Sequence, residues 1–255
     1  MRFASLGSGS RGNAFVIEAG TTRLLLDCGF GPRETSRKLA RLGLTVGDLS
    51  AILVTHEHGD HVGGAYPLAL SQGLRVWMTH GTFAATPPGR NGPPPVELID
   101  SHRPFQIGDL EIFPFPVPHD AREPVQFVFS DGSRRLGLAT DLGSSTPHVE
   151  SMLSACDALV LECNHDREML SGGGYPPHLK RRIAGRFGHL DNGSTATLLG
   201  ALDNSRLQHL VAAHLSQQNN TPALARAALS QALGCAEHWI GVADQDEGFA
   251  WRSVI

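Results

Sequence analysis

Ala51-Ile52-Leu53-Val54-Thr55-His56-Glu57-His58-Gly59-Asp60-His61 places three imidazoles and two carboxylates in six consecutive positions behind a short apolar run. Packing gives no reason for that pattern, whereas neutral imidazole and carboxylate suit zinc and its first-row neighbours. Ala51 to Thr55 reads as a buried strand, with His56 opening the loop at its carboxyl end. Residues two apart in extended chain share a face, so His56 and His58 can converge on one ion. Asp60 and His61 lie past the turn at Gly59 and can face a second ion. Glu57 sits between residues directed at the ions and is expected to point away. The bland alternative is a solvated loop that happens to be rich in histidine. A lone histidine would leave that reading standing; the whole run does not.

The frame around this motif is that of an ordinary globular protein. The chain has 255 residues, 41% hydrophobic and 18% charged, enough to bury a substantial core. No apolar run approaches the roughly 18 residues of a membrane span. Met1 to Gly7 lacks the regions of a signal peptide. Cys28, Cys156, Cys163 and Cys235 have no paired spacing and read as buried free thiols, which fits a cytoplasmic protein. The net charge of -4 argues mildly against non-specific nucleic-acid binding, although bound cations would attract phosphate locally.

Strand and helix signals alternate in two similar halves, about 1–115 and 116–255, within one domain spanning 1–255. Phe15–Glu18 and Arg23–Asp27 read as strands, Glu34–Leu42 as a helix closed by Gly43, Gly63–Gln72 as a helix closed by Gly73, and Leu74–Met78 as a strand. The run 86–95, with its prolines and glycines, reads as a surface loop. Leu110–Val117, Val125–Ser130, Arg135–Thr140, Ala158–Glu162, Leu207–Ala213, His238–Val242 and Phe249–Arg252 read as strands. Val149–Ala155, Pro177–Arg186, Asn192–Leu202 and Pro222–Ala232 read as helices. Strands and helices in this order favour a layered α/β domain built on two sheets.

Further ligands for a two-ion site are expected just past other strands. His119, Asp141 and His214 each follow a predicted strand, and a carboxylate such as Asp141 can bridge two cations. Singly, each could instead cap a turn; their joint placement favours ligands. His80, His102, His178, His209 and His238 have no companion acids and read as solvated.

The set His56-Glu57-His58-Gly59-Asp60-His61, His119, Asp141 and His214 resembles the metallo-β-lactamase fold of hydrolases, in the branch with a bridging aspartate. Ser8-Gly9-Ser10-Arg11-Gly12-Asn13, Asp27-Cys28-Gly29, Pro118-His119-Asp120-Ala121, Leu161-Glu162-Cys163-Asn164-His165-Asp166, Gly188-His189-Leu190 and His214-Leu215-Ser216-Gln217-Gln218-Asn219-Asn220 are similar to the YycJ/WalJ-like subfamily. The resemblance runs over nearly the whole chain. It implies an α/β fold of four layers, an αββα sandwich with two sheets flanked by helices. It also implies a cytoplasmic 5′→3′ DNA exonuclease using two divalent metal ions, zinc or manganese. His56, His58 and His119 would hold one ion, Asp60, His61 and His214 the other, with Asp141 as bridge. Asp27 would orient a ligand imidazole. His189 would act toward the leaving group, with Asp60 also at the reacting centre, and His165 could line the pocket. Asp191 departs from the serine expected there and adds negative charge.

Two ions about 3.5–4 Å apart would carry a bridging hydroxide as the nucleophile. Lys180, Arg181, Arg182 and Arg186 are either a phosphate track or a solvated basic helix face. Arg11 and Asn13 either reach a phosphate through backbone N–H groups or merely form a tight turn. The same ligand set permits a small cyclic or nucleotide phosphodiesterase, less readily a thioesterase or lactonase, and least readily a non-catalytic metal-binding regulator. Oligomeric state is not encoded in these motifs.

Overall fold

The structure, a computed structural model, describes residues 1–255 and consists of two mixed sheets packed face to face with helices outside both. The first sheet contains β1 (Arg2–Gly7), β2 (Ala14–Ala19), β3 (Thr22–Leu26), β4 (Ala51–Leu53), β5 (Val76–Thr79) and β6 (Val96–Ile99). The second contains β7 (Phe105–Ile107), β8 (Leu110–Pro116), β9 (Val125–Ser130), β10 (Arg135–Ala139), β11 (Ala158–Glu162), β12 (His209–Ala213) and β13 (Gly241–Val242). The last strand, β14 (Phe249–Ser253), returns to pair with β1, so the orders are β14-β1-β2-β3-β4-β5-β6 and β13-β12-β11-β10-β9-β8-β7. Pairing is antiparallel from β14 to β3 and from β7 to β10, and parallel from β3 to β6 and from β10 to β13.

Period-two alternation explains why each strand is apolar on both faces. Leu24, Leu26, Ala51 and Leu53 face the second sheet in a shared core with Phe127, Phe129, Leu136, Leu138 and Val160. Leu25, Ile52 and Val54 turn outward onto α1 (Pro32–Arg41) and the short helices that follow β4. Those helices are α2 (Gly59–Val62), α3 (Ala65–Gln72) and α4 (His80–Ala85). Leu159, Leu161, Leu210 and Ala212 turn outward beneath the helices of the second sheet. These are α5 (Pro147–Leu153), α6 (Arg167–Gly172), α7 (Pro177–Ile183), α8 (Asn192–Ala201) and α9 (Pro222–Leu233). Three apolar layers separate four structural layers, the αββα arrangement expected from the resemblance. No helix is long and apolar enough to cross a membrane.

Several elements differ from the sequence reading for local reasons. Asp60 and His61 occupy a helical turn, α2, not a loop. The predicted helix over 63–72 starts only at Ala65; Gly63 closes α2 and Gly64 precedes the new helix where a Cβ would lie 1.8 Å from the Phe30 carbonyl oxygen. The helix predicted to Arg186 stops at Ile183, and the segment predicted as a strand from His238 begins as a 3₁₀ turn, Glu237–Trp239. Helices α4 and α6 and strands β6 and β7 are too short to show a period, so no pattern announced them. Cys28, Cys156 and Cys163 are buried free thiols, but Cys235 is only half-buried, since it follows the exposed end of α9.

The motif loop is tied to the neighbouring strand end by backbone bonds. Asn13 N–H donates to the Asp60 carbonyl at 2.8 Å, Cys28 N–H to the His61 carbonyl at 2.7 Å, and Gly64 N–H to the Cys28 carbonyl at 2.7 Å. Gly29 makes this approach possible: a Cβ there would lie 1.9 Å from the Asp60 carbonyl oxygen. Gly29→Ala is therefore expected to displace α2 and cost roughly 1–3 kcal/mol of stability. Urea unfolding of the variant measures it; a wild-type midpoint would refute the close-packing argument.

Candidate metal centre

All candidate ligands meet at the carboxyl ends of β3, β4, β10 and β12 and in the loop after β8. Three of these strand ends use the same device. Asp27, Asp141 and His214 follow β3, β10 and β12 in left-handed backbone, with φ of 59°, 54° and 55°. Non-glycine residues avoid that region, and each such position costs on the order of 1–3 kcal/mol. The reversal turns each side chain back over the strand end, into the cleft between the sheets.

Three imidazole nitrogens converge first. His56 Nε2 lies 3.1 Å from His58 Nδ1, and His119 Nε2 lies 3.3 Å from the same atom. A second group consists of Asp60, His61 and His214, with Asp60 Oδ2 3.4 Å from His61 Nε2 and 3.6 Å from His214 Nε2. Asp141 stands between them: Oδ2 is 3.1 Å from His61 Nε2, while Oδ1 is 3.4 Å from His214 Nδ1 and 3.8 Å from His119 Nε2. Two atoms at the middle, Asp141 Oδ2 and His214 Nε2, are buried without a hydrogen-bond partner. Native proteins rarely leave such atoms unpaired, and a cation satisfies both without a proton. The donor set therefore fits divalent ions.

Outer partners fix which ring nitrogen is available. Nδ1 of His56 meets Thr55 Oγ1 at 2.9 Å, that of His61 meets Asp27 Oδ2 at 2.8 Å, and that of His119 meets the Gly188 carbonyl at 3.0 Å. Nδ1 of His189 and of His214 share Glu162 Oε1, at 2.8 and 3.0 Å. With an acceptor on Nδ1, each ring directs Nε2 inward. His58 is the exception, because its Nδ1 faces the cluster and its Nε2 lies 3.9 Å from Asp120. Asp27, which accepts from His61 Nδ1, also accepts from Thr55 N–H at 2.8 Å.

The charges respond to this crowding. Burial, then His61, drives the His56 pKa well below its usual value. Burial opposes charge on His214 too, but Asp141, Asp60 and Glu162 outweigh it and raise the pKa to about 10. Burial likewise opposes charge on Glu162, yet His189 and His214 bring it down to about 2. Asp141 is held well below the usual carboxylate range, burial being overcome by His214 and His61. Metal ions at this site would replace imidazolium protons as the counter-charge of these carboxylates.

Glu162 is the residue that reading the motifs left without a role. It is fully buried at the end of β11 and also accepts the N–H groups of Leu142 and Leu190, at 2.9 and 3.0 Å. A carboxylate closing an apolar buried strand, as Asp27 nearly does after β3, was the available signal. Glu57 points away as expected, accepting from Arg122 N–H at 2.7 Å.

The basic residues divide. Arg11 is exposed and paired with Asp246 at 2.7 Å, and its N–H donates to Gln245 Oε1, so it does not face the cluster. Asn13 is buried; its Oδ1 accepts from Gly9 N–H at 2.8 Å and its Nδ2 lies 3.1 Å from His61 Nε2. The backbone N–H groups of both are thus spent within the chain, that of Asn13 on the Asp60 carbonyl, while the Asn13 side-chain amide lies against Asp60 and His61 of the ligand group. Arg182 Nε donates to Asp120 Oδ2 at 2.6 Å beside His58 and His119, and Arg186 lies past α7 over the Phe187 ring. Lys180, Arg181, His165 and His189 line a cavity of about 610 Å³. Asp191 does not add free charge there: it caps α8 and pairs with Arg167 at 3.0 Å. Of the background histidines, His80, His102, His178 and His238 are exposed, while His209 is half-buried with Nε2 on the Ser253 carbonyl at 2.9 Å.

Glu162→Gln keeps the shape of the side chain but removes the charge that orients His189 and His214. Metal affinity is expected to fall about 10–100-fold, read by competition with a chromogenic chelator. Wild-type affinity in the variant would remove Glu162 from the site's support.

Comparison with known proteins agrees with the geometry. The Beta-lactamase superfamily domain matches residues 22–214. The chain is 36% identical over 235 residues to the exodeoxyribonuclease YycJ of Bacillus anthracis, covering 91% of this chain and 89% of that one. It is 31% identical over 245 residues to the exodeoxyribonuclease WalJ of Streptococcus pneumoniae, covering 94% and 91%. The metallo-β-lactamase fold protein YhfI of Bacillus subtilis superposes over 99% of both chains with a TM-score of 0.75 at 15% identity, a likeness of fold. The chain thus belongs to the metallo-β-lactamase superfamily, in its YycJ/WalJ-like branch.

Proposed function

We propose that this protein is a metal-dependent phosphodiesterase that acts on DNA as a 5′→3′ exonuclease, with two divalent ions, zinc or manganese. The observation that carries this reading is Asp141, whose two oxygens reach toward both ligand groups while Oδ2 stays unpaired. His56, His58 and His119 would hold one ion, Asp60, His61 and His214 the other, and Asp141 would join them. The relatives named as exodeoxyribonucleases support the substrate. Unpaired cysteines support a cytoplasmic setting.

Bound divalent ions supply Lewis acidity, an activated water and charge neutralisation at phosphoryl oxygens. The chain's own groups do the rest. Glu162 fixes Nδ1 of His189 and leaves Nε2 without a protein partner, free to deliver a proton to a leaving oxygen. Arg182 is steered by Asp120 through Nε alone, which leaves the rest of its guanidinium to meet a phosphodiester beside His58 and His119. Asp27 and Thr55 keep the His61 and His56 rings from turning.

A small nucleotide phosphodiester is the second reading, favoured by the net charge of -4 and by a cavity of only about 610 Å³. Incubation with 5′- and 3′-labelled single- and double-stranded DNA, with Mn²⁺ or Zn²⁺ added, separates the two. Stepwise shortening from the 5′ end is expected; hydrolysis of a short model ester with intact DNA would favour the second reading. His58→Ala and Asp141→Ala should each lower the rate by more than about 100-fold while the chain stays folded. Undiminished activity in either would refute the assigned ligands.

A further inference from the structure

The cavity beside His189 continues away from the ligand cluster, between α6, α7 and the start of α8. Arg167, Lys180 and Arg181 line it against one carboxylate, Asp191, which is already bound by Arg167 and by the N–H groups of Gly193 and Ser194. Arg181 has no ion-pair or hydrogen-bond partner on any element, and Lys180 Nζ spends one donor on the Ser171 carbonyl at 2.6 Å. His165 is 2% exposed, lines the same cavity, and uses only Nδ1, toward Asn164 Oδ1 at 3.3 Å. Its Nε2 has no partner in the protein. A ring nitrogen that no protein group engages, opening on a cavity lined by cations of which one is unpaired, is an arrangement that suits an anionic ligand.

Size and position narrow the ligand. About 610 Å³ is in the range of small-molecule sites, enough for a nucleotide and too little for a duplex. His189 forms the wall shared with the ligand cluster, since its Nδ1 lies 3.6 Å from Asp141 Oδ1. On the proposed nuclease reading, on which this step rests, His189 faces the leaving oxygen, so the leaving group occupies the cavity. When a strand is cut from its 5′ end, water forms a bond to the second phosphorus and the bond to the 3′ oxygen of the terminal nucleotide breaks. That oxygen takes the proton from His189, and the proton lost by the water passes to solvent. The group released is the terminal nucleotide, with its 3′-hydroxyl at His189 and its own 5′ position deeper in the cavity.

We infer that this cavity is a binding site for a terminal 5′-phosphate, held by Arg181, Lys180 and His165, and that it makes the 5′-phosphorylated strand end the preferred substrate. Asp191 serves the site by keeping Arg167 in the wall. The nearer phosphate, at the cleaved bond, belongs to the ligand cluster; the farther one belongs to the cavity.

The test compares kcat/KM on one oligonucleotide carrying either a 5′-phosphate or a 5′-hydroxyl, in the metal-loaded protein. The phosphorylated end is expected to be cut about tenfold faster or more. In Arg181→Ala and in His165→Ala that ratio should fall toward one, and in Arg181→Lys it should be partly restored. Arg181 is exposed, so its variants test the site even if the buried His165 variant fails to fold. A wild-type ratio near one overturns the inference while leaving the nuclease reading intact, as does an unchanged ratio in the Arg181 variants. No cleavage of either end removes the nuclease reading itself, and the inference with it.

Discussion

The site depends on a single geometric constraint: Asp141 must present both carboxylate oxygens to the cleft from the end of β10. Its backbone takes that pose in the left-handed region, as do those of His214 in the same sheet and Asp27 across the cleft. Three strained positions, each costing on the order of 1–3 kcal/mol, persist because the sheets beneath them are buried on both faces and cannot relax. The rigidity of the sandwich is therefore what holds like-charged carboxylates and crowded imidazoles together. A softer scaffold would let them separate and find water.

A second layer converts that crowding into order. Glu162 and Asp27 are placed alike, at or just past the end of a parallel strand, buried, each accepting from a ring Nδ1 and from backbone N–H groups. Each fixes a tautomer as well as an orientation, which a hydrogen bond to water could not do. Glu162 serves His214, within the ligand group, and His189, at the mouth of the cavity, so the ligand cluster and His189 share one carboxylate. Their mutual geometry is set by a single side chain of the core.

Much of this was legible in the sequence because it sits on strand ends. His56, His58, Asp60, His61, His119, Asp141 and His214 each follow an apolar run, and the structure gathers all seven in one cleft. What was not legible has physical reasons. Asp60 and His61 ride on a four-residue helix too short to show a period. Glu162 lies inside a buried strand, where a lone acid looks like any strand-end polar residue until its partners, far along the chain, are seen. Arg11 and Asn13 were ambiguous because a glycine-rich turn can cradle an anion or simply turn, and where their groups go, to Asp246, Gln245, Asp60 and His61, is seen only in the folded chain. The run Lys180-Arg181-Arg182 looked like one basic face, but helical rotation sends Arg182 to Asp120 and leaves Lys180 and Arg181 in the cavity.

In the proposed site, two cations share Asp141. The most direct measurement is electron paramagnetic resonance of the protein loaded with Mn²⁺, alongside a count of bound metal per chain. Two ions per chain and the spectrum of an exchange-coupled pair are expected. One ion per chain, or two with the spectrum of isolated Mn²⁺, would contradict a shared Asp141.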